Sequence, residues 1–201
     1  MPDDKLILRA QVDIKEGEEI TIQYISFLFG NSRRREEIRS CWMFECRCRR
    51  CLDTTELGSF LSAVLCSSCG GPVLPIDSSI DCEVWQCRDC QQKMERDKVL
   101  AIVKELEDEM LNTMEHESDK YQALVDKFSK LLHPNHYQFQ ILRRALSGSF
   151  RGTLTLDQVE LRKNLLEEFI RVFQVVDPGL TKYVINNCCN LLNENFHQMA
   201  R

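Results

Sequence analysis

The sequence lacks both a long apolar run and a secretory signal. A helix that spans a bilayer needs about 18 or more consecutive apolar residues, and no run among the 201 residues approaches that length. The N-terminus, MPDDKLILRA, carries acidic residues where a secretory signal has Lys or Arg, and its apolar stretch is too short. We therefore expect a protein of the nucleus or the cytoplasm that has no membrane partner.

An excess of positive charge is also missing. The chain has 26 basic and 31 acidic residues, which gives a net charge of −5. Proteins that bind nucleic acid over a broad surface are basic, because the phosphate backbone dominates their affinity. Arginines cluster at 33–35 and at 47–50, but two glutamates follow the first cluster directly. We interpret both clusters as solvated surface and do not expect direct nucleic-acid binding.

Signatures of common catalytic machinery are absent as well. The sequence contains no recognisable catalytic triad, phosphate-binding loop or pair of catalytic carboxylates. Its composition, with 43% apolar and 28% charged residues, is that of an ordinary globular protein and argues against wholesale disorder. At about 150 residues per domain, the length predicts one or two domains.

Cysteine is the abundant residue. The chain has 11 cysteines, and nine of them lie between Cys41 and Cys90. An odd total without a secretory signal argues against a disulfide framework, because a reducing compartment keeps thiols free. Dense cysteines in such a compartment predict zinc, provided that their spacing suits a metal.

Four cysteines have this spacing, in two CxxC pairs separated by 17 residues: Cys66, Cys69, Cys87 and Cys90. The spacing matches the zinc pattern C-x2-C-x15–20-C-x2-C, and Gly70 and Gly71 suit the tight turn that follows such a pair. A redox CxxC would need a βαβ unit, which the pattern does not contain. We predict a closed, structural zinc site, and we interpret Cys82, which is off this spacing, as a buried thiol.

A second cluster is the CxCxxC triplet of Cys46, Cys48 and Cys51. Three closely spaced thiolates make a partial zinc site, which needs a fourth ligand to become tetrahedral. Cys41, five residues upstream, is the nearest candidate but a weak one. We predict that the triplet binds zinc in the whole protein and less securely in this chain alone.

The hydrophobic pattern predicts an α+β chain in three parts. Residues 5–29 alternate like the two strands of a β-hairpin around a turn at Gly17, and a short polar helix covers roughly 31–43. We place the first domain at 1–43 and a Cys-rich, zinc-stapled segment at 44–92. Residues 93–201 form the third part, an antiparallel helical array.

Five amphipathic helices make up this array. Two follow the apolar spacing within 99–110 and 121–132, and Pro134 stops the second of them. A third covers about 135–147, and a capping box of Thr155 and Gln158 opens a fourth. A fifth is expected over 180–192, after the break at Asp177.

Two segments resemble the end of a SET domain. They are LRAQVDIKEGEEITIQY at 8–24 and WMFECRCRRC at 42–51, which is similar to a post-SET segment with its cysteines. The second CxxC cluster and the later helices, with LHPNHY at 132–137, resemble the SMYD family of SET-and-MYND proteins, and most closely its arthropod-type members. Under this resemblance the helical array is TPR-like.

The resemblance implies protein-lysine N-methylation with S-adenosylmethionine and a role in transcription regulation. Tyr24 matches the tyrosine that ends the GEEIT-x-x-Y motif, which lines the lysine channel and orients the amine, so it is the expected catalytic residue. Phe44 matches the aromatic residue that packs on the cofactor's adenine. The expected partner is a protein or peptide substrate that contains lysine.

The sequence also departs from the family. Trp42 stands where active members carry a second channel tyrosine, and an indole has no phenolic hydroxyl. The glycine-rich cofactor loop, the MYND zinc fingers and the Asn-His-Cys segment do not occur in the sequence. We therefore expect the C-terminal portion of a methyltransferase. The alternative is a catalytically silent, zinc-stapled scaffold whose helical groove binds a partner peptide.

Overall fold

A computed structural model describes residues 7–10, 12–114, 117–150 and 154–179. These residues form six α-helices and four short β-strands, so the predicted α+β class is confirmed. The helices are α1 (Asn31–Trp42), α2 (Arg49–Leu52), α3 (Arg96–Leu111), α4 (Ser118–Phe128), α5 (Tyr137–Ser149) and α6 (Leu156–Phe173). The strands are β1 (Val64–Leu65), β2 (Pro72–Pro75), β3 (Val84–Cys87) and β4 (Lys93–Glu95).

The four strands form one antiparallel sheet in the order β1-β2-β3-β4. The outer edge of β1 is covered by the loop between α4 and α5, because the Leu65 N–H donates to the Leu131 carbonyl at 2.8 Å. The sequence did not indicate this sheet. Its strands have only two to four residues, which is too short for an alternating pattern to be distinguished from a loop.

The β-hairpin predicted over 5–29 is wrong, because the described part of this segment does not form the two expected strands. The described residues between 7 and 29 contain no strand. The turn is present, since Gly17 has φ +83° and the Glu18 N–H donates to the Lys15 carbonyl at 3.0 Å. Ile20 and Ile22 remain 77% and 67% exposed. A two-stranded hairpin is marginal unless another layer buries one of its faces, and here nothing described buries these side chains.

The polar helix α1 lies where the sequence predicts a helix. It ends at Met43, which takes the left-handed conformation with φ +60° and turns the chain toward the cysteine triplet. Its buried residues are Ile38, Arg34 and Arg35. The two guanidinium groups are directed into the protein, where Arg34 donates to the Ser26 carbonyl at 3.0 Å and Arg35 donates to the Ser78 carbonyl.

The later helices also follow the sequence. The capping box is confirmed, because the Thr155 hydroxyl accepts from the Gln158 N–H while the Gln158 side chain accepts from the Thr155 N–H. The third predicted helix is α5, which begins at 137 after a side-chain cap by His136. The fifth predicted helix, over 180–192, lies outside the described residues. None of the helices that the structure describes is long and apolar enough to cross a membrane.

One hydrophobic core joins the sheet to the helices. Its buried members include side chains of β1–β3, α3, α4 and α5: Val64, Val73, Trp85, Val99, Leu106, Phe128, Phe139 and Leu142. A second cluster packs the segment before α1 against α6, with Phe27 in edge contact with Phe173 at 5.9 Å. The boundary at 92/93 stays a prediction, and the core continues across it.

Candidate functional site

The four cysteines of the two CxxC pairs come together at the end of the sheet. Their sulfur atoms all lie within 4.8 Å of one another. The Cys66 and Cys90 sulfurs are 3.6 Å apart, and those of Cys69 and Cys87 are 3.5 Å apart. Four sulfurs at about 2.3 Å from one zinc ion stand about 3.8 Å apart at tetrahedral angles. The donor set and its spacing therefore fit a zinc ion.

The two CxxC pairs sit in equivalent backbone turns. The Gly70 N–H donates to the Cys66 carbonyl at 2.9 Å, and the Gln91 N–H donates to the Cys87 carbonyl at 3.1 Å. Both turn residues have positive φ, +74° for Gly70 and +63° for Gln91. Each turn thus folds the second cysteine back beside the first, so that both sulfurs of a pair can reach one ion.

Backbone N–H groups surround the sulfurs in these turns. The N–H groups of Ser68 and Cys69 face the Cys66 sulfur and lower the pKa of Cys66 to about 7. The Gly71 N–H acts to lower the pKa of Cys69, but the thiols of Cys90 and Cys87 outweigh it and raise that pKa to about 12. The Cys66 thiolate is thus stabilised while ionisation of Cys69 is opposed, and a divalent cation among the sulfurs would offset the repulsion between neighbouring thiolates.

The other cysteines follow the predictions from their spacing. Cys82 is a buried thiol that donates to the Val84 carbonyl at 3.1 Å, as expected. Cys41 is exposed and lies outside both sulfur clusters of the described residues. The structure therefore does not bring Cys41 to the triplet as its fourth ligand.

The triplet forms a second, open cluster. The sulfurs of Cys46, Cys48 and Cys51 lie within 4.8 Å of one another, with Cys51 buried and Cys48 exposed. A hydrogen bond from the Cys51 thiol is the main cause that lowers the pKa of Cys48 to about 4. The same bond raises the pKa of Cys51. Three sulfurs this close together can hold a zinc ion that takes its fourth ligand from elsewhere.

Three aromatic rings stand beside this cluster. The Tyr24 ring makes edge contacts with Trp42 at 5.2 Å and with Phe44 at 5.1 Å between ring centroids. The rings are 44%, 53% and 38% exposed, respectively. Tyr24 and Phe44 line an open groove together with Cys46 and Cys48. The two residues that the resemblance singled out are thus neighbours, and Trp42 packs directly on Tyr24.

This groove fits one wall of a cofactor pocket. An aromatic ring with an accessible face, such as Phe44, can stack on a planar base. Ile22 and Ile38 extend the apolar lining, and the guanidinium of Arg34 lies at the same groove.

A buried ion pair next to the triplet was not predicted. Arg50 and Glu56 are 6% and 1% exposed, and the Nη2 atom of Arg50 lies 2.8 Å from Oε2 of Glu56. In the sequence, Arg50 belongs to a basic cluster that we interpreted as solvated surface, and this interpretation is wrong for Arg50. It is also wrong for Arg34 and Arg35 of the first cluster, which are 9% and 7% exposed. No pattern distinguishes a buried arginine in RCRRC from an exposed one, because burial depends on the segments that pack on it.

Comparisons with known proteins place these features in context. No protein-family model matches the chain. The chain is 38% identical over 87 residues to the SET domain-containing protein SmydA-8, isoform A, of Drosophila melanogaster, an alignment that covers 42% of the chain and 19% of that protein.

Two human proteins are similar as well. Histone-lysine N-methyltransferase SMYD1 is 25% identical over 178 residues, covering 75% of the chain and 36% of SMYD1. Histone-lysine N-methyltransferase SMYD3 is 48% identical over 46 residues, covering 23% of the chain and 11% of SMYD3. The chain therefore spans about a fifth of the length of SmydA-8 and about a third of the length of SMYD1.

Proposed function

Because this chain belongs with the SMYD group of SET-domain proteins, as its relatives bear out, we propose that it is the C-terminal portion of a protein-lysine N-methyltransferase that uses S-adenosylmethionine. Its substrate would be a lysine-containing protein or peptide, met in the nucleus or the cytoplasm. The relatives that carry the name histone-lysine N-methyltransferase support this substrate class.

The observation that carries the proposal is the contact of Tyr24 with Phe44 beside the cysteine triplet. The two rings meet at 5.1 Å in one groove. In our proposal, the Tyr24 hydroxyl accepts a hydrogen bond from the substrate amine and orients its lone pair. Phe44 packs against the adenine, and S-adenosylmethionine, when bound, supplies an electrophilic methyl group on a sulfonium.

Zinc has two structural roles in this proposal. A closed site of Cys66, Cys69, Cys87 and Cys90 would hold the sheet together, since four protein ligands leave no position for chemistry. A zinc ion on Cys46, Cys48 and Cys51 would fix the turn after Phe44 and so set the position of that ring beside Tyr24.

One observation favours the second candidate function, a silent zinc-stapled scaffold. Trp42 packs on Tyr24 at 5.2 Å and offers an indole N–H donor but no hydroxyl acceptor. If a second phenolic hydroxyl is needed to orient the amine, this ring pair cannot supply it. The groove would then hold a lysine side chain without methylating it.

Methyl transfer separates the two candidates. The protein that contains this chain would be incubated with methyl-labelled S-adenosylmethionine and a histone mixture, and the label on lysine would be counted. We expect transfer to fall at least tenfold in Tyr24→Phe and to be unchanged in Tyr121→Phe, a matched loss of a hydroxyl in α4. No transfer by the wild type, with an increase in Trp42→Tyr, would instead support the scaffold.

A further inference from the structure

We infer that the buried Arg50–Glu56 pair is a positioning device for the metal site of Cys46, Cys48 and Cys51. This inference rests on the proposed function, in which that triplet binds zinc. Arg50 lies on the helical turn α2, which begins after Cys48 and contains Cys51, and Glu56 follows that turn in the chain. The backbone of α2 is closed by the Leu52 N–H, which donates to the Cys48 carbonyl at 3.1 Å. A shift in the position of Arg50 would therefore move both neighbouring ligands, Cys48 and Cys51.

The Arg50 guanidinium is held from three directions. Its Nε and Nη2 atoms donate to Oε2 of Glu56 at 3.1 and 2.8 Å. Its Nη1 atom donates to the Phe27 carbonyl at 2.9 Å, and Nη2 also donates to the Phe29 carbonyl. These carbonyls belong to the segment that links Tyr24 to α1. The arginine thus ties the metal-ligand turn to the irregular segment that follows Tyr24.

The backbone of Arg50 is fixed as well. Its carbonyl accepts from the Asn31 side-chain amide at 2.7 Å, and the same amide donates to the Asp53 carbonyl at 3.2 Å. Asn31 is the first residue of α1, so the position of α2 is set against the start of that helix. Side chain and backbone of one residue are therefore both anchored between two zinc ligands.

Glu56 is itself held in an unusual conformation. It has φ +53°, and its neighbour Leu57 has φ +62°. The second carboxylate oxygen of Glu56 accepts from the Ser62 hydroxyl, and the carbonyl of Glu56 accepts from the Ser59 hydroxyl at 2.7 Å. A left-handed conformation at residues other than glycine persists only where the surroundings determine it. Here it aims a fully buried carboxylate at Arg50.

A role in geometry explains the pair better than a role in stability. Burying two charges carries a desolvation penalty that a well-packed apolar pair would avoid. A buried ion pair is therefore weak evidence that the pair stabilises the fold. Its directional hydrogen bonds, by contrast, fix the guanidinium in one orientation, with two of its nitrogens on Oε2 of Glu56 and two donated bonds to backbone carbonyls. Partners that hydrogen-bond a metal ligand typically change metal affinity by 10- to 100-fold when they are removed. Arg50 acts one step further out, through the backbone of α2, so we expect an effect at the low end of this range.

The test compares the two metal sites in one chain. The full chain would be loaded with one equivalent of zinc, which fills the four-cysteine site, and then titrated with Co²⁺ while thiolate-to-cobalt absorption is followed. We expect Glu56→Gln to weaken Co²⁺ binding at the triplet about tenfold and to leave the first zinc in place. The matched control is Glu45→Gln, which removes the same charge from an exposed residue next to Cys46.

The outcomes are distinct. Unchanged Co²⁺ affinity in Glu56→Gln would overturn the inference, whereas equal losses in Glu56→Gln and Glu45→Gln would show a charge effect and also overturn it. Failure of the wild-type triplet to bind Co²⁺ would contradict the proposed zinc site itself. If Glu56→Gln does not retain the first zinc, Ser62→Ala takes its place, and unchanged affinity there would likewise overturn the inference.

Discussion

Gly71 has no room for a side chain. A Cβ atom at this position would lie 2.7 Å from Cγ and 3.0 Å from Cβ of Asp89, which belongs to the other CxxC turn. The two turns thus approach each other closely at Gly71, where a larger residue would have to displace the exposed Asp89 side chain, and the sulfurs of Cys69 and Cys87 lie 3.5 Å apart. By contrast, a Cβ atom at Gly148, in α5, would have no neighbouring heavy atom within 4 Å.

We therefore expect Gly71→Ala to lower the free energy of unfolding of the zinc-loaded chain by about 1–3 kcal/mol, the range for an overpacked site. Gly148→Ala should raise it by up to about 1 kcal/mol, because alanine has the higher helix propensity. Urea unfolding measures both. In the Gly71→Ala background, Asp89→Ala should restore stability, and the absence of that rescue would contradict the assigned clash.

At the scale of the element, α5 begins at a buried histidine. The Nδ1 atom of His136 accepts from the Gln138 N–H at 3.2 Å and caps the helix. Its ring is 1% exposed and stacks on Tyr137 at 4.9 Å. Burial, with a smaller contribution from His133, lowers the pKa of His136 to about 3. The helix start therefore requires a neutral imidazole.

This cap predicts a loss of stability in mild acid. The pKa of His136 is about 3 when folded and about 6.5 when unfolded, so the unfolded chain binds more protons below pH 6.5. The contribution of the neutral His136 side chain to the free energy of unfolding is complete above about pH 6.5 and falls as the pH is lowered toward 3. Between pH 7 and pH 5 the wild type should lose about 2 kcal/mol more than His136→Asn, which keeps a capping oxygen but does not titrate. Equal pH dependence in urea unfolding would contradict this.

At the scale of the whole molecule, the sheet that carries the CxxC cysteines and the helices share one core. Cys66 and Cys87 are buried in the same cluster as Leu106 of α3 and Phe128 of α4. The edge of β1 is bonded to the α4–α5 loop through Leu65. The sheet is therefore not a separate unit that can unfold without consequence for α3–α5.

We expect the purified chain to hold about one zinc ion tightly, since among the residues that the structure describes only the four-cysteine cluster offers four thiolates to one ion. Structural zinc can contribute on the order of 10 kcal/mol to folding, so Cys87→Ser should lose this zinc and part of the α3–α5 helical signal in circular dichroism. Cys41→Ser, an exposed cysteine outside both clusters, should change neither property. Two equally tight zinc ions in the wild type would mean that the triplet completes its own ligand set.

Local rules made several features predictable. The bounds of α1, the capping box at Thr155 and the gathering of the CxxC sulfurs follow from residues within a few positions or from a ligand spacing. The hairpin strands failed because alternation at Ile20 and Ile22 does not make a sheet when no layer covers either face. The resemblance to SMYD proteins followed from short motifs at 8–24 and 42–51, and the relatives confirm it.

The sequence by itself thus determined the class of the fold, the gathering of the four CxxC sulfurs and the resemblance to SMYD proteins, because each depends on short-range spacing. Only the tertiary structure decided which charges are buried and which rings meet. Arg50 is neutralised by Glu56 and anchored by Phe27, and Tyr24 contacts Phe44 across 20 residues of chain. Such contacts are set by how distant segments pack, and a one-dimensional pattern contains no record of the direction in which a side chain points once the chain has folded.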